Sequence, residues 1–202
     1  MRIIAGSARG RKLFSPGSRG GESIRPTADR AREALFNILG RDLVQGACVL
    51  DLFAGTGALG LEALSRGAEA ALFVDNSPLA LDLIQKNITA CGFSDKAHAV
   101  RHDLLKGLFF WRQASDRAFG NKNERQAPPF GLIFLDPPYR QGLCARLLTS
   151  LLDAGMVDDA TRVIFEDDSA ETLPEAVGRL QICDRRTYGD TGFWFYSSSH
   201  LN

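Results

Sequence analysis

The sequence predicts an α/β fold: a mostly parallel sheet of seven strands flanked by helices, with an antiparallel strand at its end. Three observations predict it. From Cys48 onward, apolar runs of strand length alternate with helix-length segments, the rhythm of a parallel sheet with crossover helices. The first run passes directly into a glycine-rich turn. The closing segment, "RLQICDRRTYGDTGFWFYSS", reads as two strands joined by a tight turn around Gly189 to Gly192, so one of them runs antiparallel to the rest.

Taken in order, "RIIAG" and "RKLF" flank a turn containing Gly and Arg and predict a short hairpin, too small for a core of its own. After "SPGSRGGES", the segment "RPTADRAREALFNILG" predicts an amphipathic helix. Thr27 is its expected N-cap, Ala28, Ala31, Leu35, Ile38 and Leu39 its apolar face, and Gly40 its stop. "CVLDLF" then precedes a helix near Ala58 to Ser65, and "AALFVD" precedes one from Pro78 to Ala90. "AHAVRHD" and "FGLIFLDPPY" follow, then a helix over Gly142 to Leu152 and the strand "TRVIFED". The polar, turn-rich stretch 111–129 reads as a surface insertion. The expected organisation is a basic hairpin extension over 1–24 and one α/β domain over 25–202.

Composition narrows the function. A chain of 202 residues, 45% hydrophobic, can form one well-buried core. Its apolar runs are too short to cross a bilayer and its amino terminus is charged where a signal peptide needs an apolar stretch, so a cytoplasmic protein without membrane contact is expected. Cys48, Cys91, Cys144 and Cys183 are widely separated, which supports neither a metal site nor a disulfide framework. The formal net charge is zero, yet residues 1–41 carry nine Lys and Arg against three Asp and Glu, and the remainder fifteen against twenty-one. A basic arm on an acidic body suits a polyanion bound at one face.

The motif "DLFAGTGALG" poses a choice. Gly55, Gly57 and Gly60 would fit a dinucleotide turn, but Asp51 at the strand end would repel a pyrophosphate and could pair with the amino group of a methionine-derived sulfonium. That favours S-adenosylmethionine, paired with Asp51 and approached closely by the backbone at the glycines. Asp75, with Asn76 beside it, is placed to accept ribose hydroxyls. Asp103 is placed to accept from an adenine amine, and Leu104 to cover the ring. Ligands of open α/β sheets lie beyond the carboxyl ends of the strands, and Asp51, Asp75, Asp103 and Asp136 end four successive strands.

"DPPY", Asp136 to Tyr139, is the most discriminating tetrapeptide. The lone pair of an aromatic amine is delocalised into its ring, so the amine is a poor nucleophile. If Asp136 and the Pro137 carbonyl accept its two hydrogens, charge developing on nitrogen is stabilised during methyl transfer. Pro137 and Pro138 fix the backbone, and Tyr139 can stack on the base. His98, His102 and His200 show no ligand spacing. "FWFY", Phe193 to Tyr196, reads as core or edge packing, and "EDD", Glu166 to Asp168, as a solvated strand end with room to border the substrate.

With "MRIIAGSARGRKL", "RPTADRAREALFNIL", "DLFAGTGALGLEALSRGA" and "DPPY" together, the chain resembles the bacterial 16S rRNA guanine-N2 methyltransferases of the RsmD family, from Met1 to about Tyr196. The resemblance implies a class I, Rossmann-like methyltransferase fold and methylation of guanine 966 on its N2 amine, with the cofactor S-adenosylmethionine held by Asp51, Phe53, Ala54, Gly55, Thr56, Gly57, Asp75 and Asp103 and the target amine facing Asp136 to Tyr139. It also implies a partner, 16S rRNA in an assembling small subunit, with no obligate protein partner evident. Arg9, Arg11 and Lys12 are the expected RNA contacts; Arg25, Arg30 and Arg32 are expected to add to the same surface or, lying closer to the body, to support the cofactor. Asp75 departs from the family pattern, where Glu is frequent, as does the long 111–129 insertion. The alternatives are a methyltransferase acting on DNA adenine or protein glutamine, and a non-catalytic nucleotide-binding module.

Overall fold

The computed structural model describes residues 1–16, 26–108 and 130–198. Arg25, the 111–129 insertion, His200 and the expected domain boundary at residue 24 lie outside them. The chain builds α1 (Pro26–Val44), β1 (Cys48–Leu52), α2 (Ala58–Ser65), β2 (Ala70–Asp75), α3 (Pro78–Cys91) and β3 (Ala97–Arg101). After a 3₁₀ turn at Leu104–Lys106 come β4 (Leu132–Leu135), α4 (Cys144–Asp153), β5 (Arg162–Asp168), β6 (Ala176–Val177), β7 (Leu180–Tyr188) and β8 (Thr191–Ser198).

The strands form one sheet in the order β3-β2-β1-β4-β5-β8-β7-β6. β3, β2, β1, β4 and β5 are parallel, and β8 inserts antiparallel between β5 and β7. Eight strands replace the expected seven, because two-residue β6 pairs with β7 through Val177 and Leu180. So short a pairing leaves no apolar run to detect. The order reverses between β1 and β4, which opens a crevice at the carboxyl ends of those two strands.

Both faces of the sheet are covered, and strand alternation divides the core. Val49, Ala71, Phe73, Phe134, Phe193 and Phe195 pack with α1, α2 and α3 on one side. Leu50, Leu72, Ile133, Phe165, Trp194 and Tyr196 pack with α4 on the other. "FWFY" is thus core, its four aromatic side chains alternating between the two layers. Helix α3 begins with Ser77 accepting from the Ala80 N–H and ends at left-handed Gly92. Helix α1 runs from Pro26, one residue before the expected Thr27 cap; proline tolerates a first-turn position, where no intrahelical partner for its nitrogen exists. Gly40 breaks the helix as expected (φ 69°, ψ 180°), but helical structure resumes to Val44.

The amino-terminal segment is stitched onto α2 and α3. The Ile3 N–H donates to the Arg11 carbonyl and the Gly10 N–H to the Ile3 carbonyl, forming the small hairpin. Ile3, Ala8 and Leu13 are buried in the same core layer as α2. The Ile4 and Ala5 N–H groups donate to the buried carboxylate of Glu62 at 2.8 and 3.0 Å, and the Ala8 N–H donates to Ser65 Oγ at 3.0 Å. Approach is so close that a Cβ at Gly6 would lie 1.8 Å from the Ser65 carbonyl oxygen. Asn87 on α3 accepts from the Phe14 N–H and donates to the carbonyls of Phe14 and Thr56, joining this segment to the glycine loop.

Candidate active site

The crevice at the β1–β4 reversal is a cavity of about 590 Å³, within the roughly 300–1,000 Å³ usual for small-molecule sites. Asp51, Phe53, Ala54, Gly55, Thr56, Asp136 and Tyr139 all line it. Strand pairing brings the two motifs together: Leu52 lies opposite Leu135, and the Asp136 N–H donates to the Leu52 carbonyl. The loop between β1 and α2 curls through left-handed backbone at Phe53, Gly55 and Gly57 (φ 59°, 56° and 75°), and Gly57 caps α2.

Asp51 is 2% exposed, and its Oδ2 accepts from the Gly60 N–H at 2.9 Å. Burial pushes its carboxyl up to about 7 against that hydrogen bond, with Asp75 and Glu166 adding repulsion. Asp136 is held well above the ordinary carboxylate range by burial, then by the charges of Glu166, Asp51 and Asp167. A cluster of this kind favours a ligand that brings positive charge or hydrogen-bond donors, which fits both a sulfonium cofactor with its amino group and an exocyclic amine.

The other expected cofactor contacts are distributed differently. Asp75 does not line this cavity; its Oδ2 accepts from the Gly55 N–H and its Oδ1 from the Ser77 N–H, both at 2.9 Å, so it organises the glycine loop from β2. The Asn76 carbonyl accepts from Arg101 Nε. Asp103 accepts from the Leu105 N–H and caps the 3₁₀ turn. Leu104, expected over an adenine face, is instead 4% exposed and packed in the core with Leu50 and Leu72. The turn it begins rotates its side chain under the sheet and leaves Leu105 outward.

Among the expected RNA contacts, Arg9, Arg11, Lys12 and Arg30 are exposed. Arg32 is not: it is 5% exposed, lines the cavity, and donates to the Arg2 carbonyl at 2.6 Å and to Asp29 at 3.0 Å. Its guanidinium also lies 3.8 Å from the Glu62 carboxylate. It therefore fastens the amino-terminal segment and cannot present a cation to an outer phosphate. Among the described residues no group of three or more His, Cys, Asp or Glu could hold a metal ion, and no helix is long and apolar enough to cross a membrane.

Residues near the carboxyl end of the chain complete the wall. Glu166, expected as a solvated strand end, lines the cavity and accepts from Tyr139 Oη–H at 2.8 Å; Tyr139 Oη also lies 3.5 Å from Thr191 Oγ1. Asp167 is buried and accepts from the Arg140 N–H at 3.0 Å, holding Arg140 in left-handed backbone (φ 62°) just after the Pro-Pro turn. The place of Glu166 at the end of the fifth apolar run is its only signal in the sequence, and the Asp167 contact has none.

A family model described as conserved hypothetical protein 95 matches residues 1–197. Ribosomal RNA small subunit methyltransferase D of Escherichia coli K12 is 33% identical over 201 residues, covering 97% of this chain and 89% of that one. The chain belongs to the RsmD family. YlbH of Bacillus subtilis is 37% identical over 196 residues, covering 97% of this chain and 98% of the relative. The solved structure of YhhF from Escherichia coli superposes with a TM-score of 0.73 at 31% identity, covering all of this chain and 99% of that one. The RsmD relative is thus built on the class I fold of the S-adenosylmethionine-dependent methyltransferases, with its "DLFAGTG" loop and "DPPY" turn facing one cavity.

Proposed function

We propose that this chain transfers a methyl group from S-adenosylmethionine to the exocyclic N2 amine of guanine 966 in small-subunit rRNA. Family membership supports methyl transfer to rRNA. The observation that carries the chemistry is the convergence of Asp51 and Asp136 on one cavity, with Tyr139 at its mouth. The bound cofactor supplies an electrophilic methyl on a sulfonium.

The chain's own groups do the rest. Asp51, with the loop 53–57, binds the cofactor from the β1 side, and Asp75 holds that loop through Gly55. Asp136 and the Pro137 carbonyl would accept hydrogen bonds from the two amine hydrogens, so that the nitrogen lone pair turns out of conjugation and toward the methyl group. As the N–C bond forms the S–C bond would break, the thioether would leave, and the proton lost from nitrogen would pass to Asp136 or solvent. Tyr139, 38% exposed and anchored through its hydroxyl, offers a ring face on which a base taken out of its stack can rest. The exposed Arg9, Arg11 and Lys12 supply phosphate contacts. The Leu13 N–H donates to the carbonyl of Met1, itself a cavity residue, so the basic turn is anchored next to the site.

The test is a radiolabelled methyl-transfer assay on naked 16S rRNA and on assembling small subunits, with nucleoside analysis of the product. N2-methylguanine at position 966 is expected. Methyl-adenine in DNA or methyl-glutamine in protein, with no label in rRNA, would replace this reading by the corresponding alternative.

A further inference from the structure

We infer that Glu166 is the residue that selects guanine at this site, its carboxylate accepting the N1–H of the base while Asp136 and the Pro137 carbonyl take the N2 hydrogens. The inference rests on the guanine-N2 reading above and adds to it a specificity-determining residue outside the glycine loop and the Pro-Pro turn.

Three observations carry it. The first is position: Leu135 pairs with Phe165 across neighbouring parallel strands, so Asp136, just past the end of β4, stands beside Glu166, the next residue of β5, which is still paired with Phe193 of β8. Both line the same cavity. The second is orientation, since Glu166 Oε1 accepts from Tyr139 Oη–H at 2.8 Å. That bond fixes the carboxylate at the edge of the ring proposed to carry the base. The third is remaining capacity. Among the described residues, the Glu166 carboxylate takes no second hydrogen bond, and it is not among the buried polar atoms lacking a partner, so its other oxygen reaches open space.

Guanine offers two adjacent kinds of donor on its Watson–Crick edge, N1–H and N2–H₂, whereas adenine offers an acceptor at N1. Two neighbouring carboxyl groups, when ionised, accept both kinds of donor on the first edge, whereas the N1 acceptor of the second offers them none. A site built to accept a hydrogen bond discriminates strongly against a substrate that lacks the donor, because the buried acceptor is then left unpaired.

The experiment uses the full-length protein and rRNA carrying either guanine or 2-aminopurine at the target position. 2-Aminopurine keeps the N2 amine but presents an N1 acceptor; it also lacks O6, which affects every variant alike. In Glu166→Gln, the Tyr139 hydroxyl continues to donate to the amide oxygen and turns the NH₂ toward the cavity, inverting the hydrogen-bond polarity facing N1. Wild type should prefer guanine by on the order of 10²-fold or more in kcat/KM. The Gln variant should lower that ratio at least about tenfold, by slowing guanine and accelerating 2-aminopurine, while Glu166→Asp keeps the guanine preference at reduced rate. Cofactor binding by calorimetry should change little in either. Where the Gln variant does not fold, Glu166→Ala replaces it and should bring the two substrates to within about threefold of each other. An unchanged guanine to 2-aminopurine ratio, with N2-methylguanine still formed, overturns the inference and leaves the proposed function standing. No N2-methylguanine from the wild type on any rRNA overturns both.

Discussion

Asp51 Oδ2 accepts a hydrogen bond from the Gly60 N–H at 2.9 Å, tying the end of β1 to the first turn of α2 beneath the cavity. A helix amino terminus has unpaired N–H groups and a partial positive charge, so a buried carboxylate there meets a natural partner. Burial nonetheless dominates and raises the carboxyl to about 7. A cationic amino group can pair only with the ionised form, so affinity for S-adenosylmethionine should rise as pH increases from 6 through about 8, with proton release on binding. Calorimetry in buffers of different ionisation enthalpy would detect it. Asp51→Asn should bind weakly and without that pH dependence.

The same shift has a stability consequence of definite sign. Folded Asp51 keeps its proton up to about pH 7, while the unfolded residue loses it near 3.8. Its contribution is therefore full below pH 3.8 and is lost as pH rises through 7, an effect on the order of a few kcal/mol. Denaturant melts of wild type and Asp51→Asn should converge below about pH 4 and separate progressively from there to about pH 7, with the variant the more stable, the difference staying constant at higher pH.

Gly60 permits that hydrogen bond by staying small. An added Cβ would sit 2.4 Å from Phe73 Cε1 and 3.1 Å from Asp51 Oδ2, inside a closed core. Gly60→Ala should cost roughly 1–3 kcal/mol of stability, as overpacking does. It should also weaken the cofactor by displacing Asp51. Wild-type stability in urea would show that the packing tolerates the methyl group.

Asp136 lines the cavity, and the role proposed for it is on the amine and not on the cofactor. Asp136→Ala should lower kcat on the order of 10²- to 10³-fold and leave S-adenosylmethionine affinity nearly unchanged. Single-turnover rates beside calorimetry separate the two. A variant that methylates at the wild-type rate would remove Asp136 from the mechanism.

The exposed turn bearing Arg9, Arg11 and Lys12 should report on phosphate alone. Replacing all three with Ala should weaken RNA binding and make its salt dependence shallower, by roughly 0.7 to 0.9 in slope for each phosphate no longer neutralised. Cofactor affinity should be retained. Arg32→Ala should behave differently: its guanidinium is buried against Asp29 and Glu62, so its removal should appear as lower thermal stability, with the salt slope unaltered.

Much of this architecture is written locally in the sequence. A five-residue strand, apolar but for Asp51, followed by glycines can fold in few ways, so β1, the loop and α2 are legible from "VLDLFAGTGALG", as is the Pro-Pro turn from "DPPY". Ligands collect at strand ends in such sheets, which made Asp51 and Asp136 legible as well. What only the tertiary structure decided are the roles that depend on a distant partner. Glu166 looks like one more acid in a polar run until β4 and β5 bring it beside Tyr139, 27 residues away in sequence. Arg32 looks like one more surface cation until Glu62 and the Arg2 carbonyl enclose it. Leu104 follows a strand-end acid, as an adenine contact would, until a 3₁₀ turn directs it into the core. The physical reason is common to all three. A side chain's local sequence sets its backbone conformation, whereas its burial, charge state and partners are set by whatever the fold places against it.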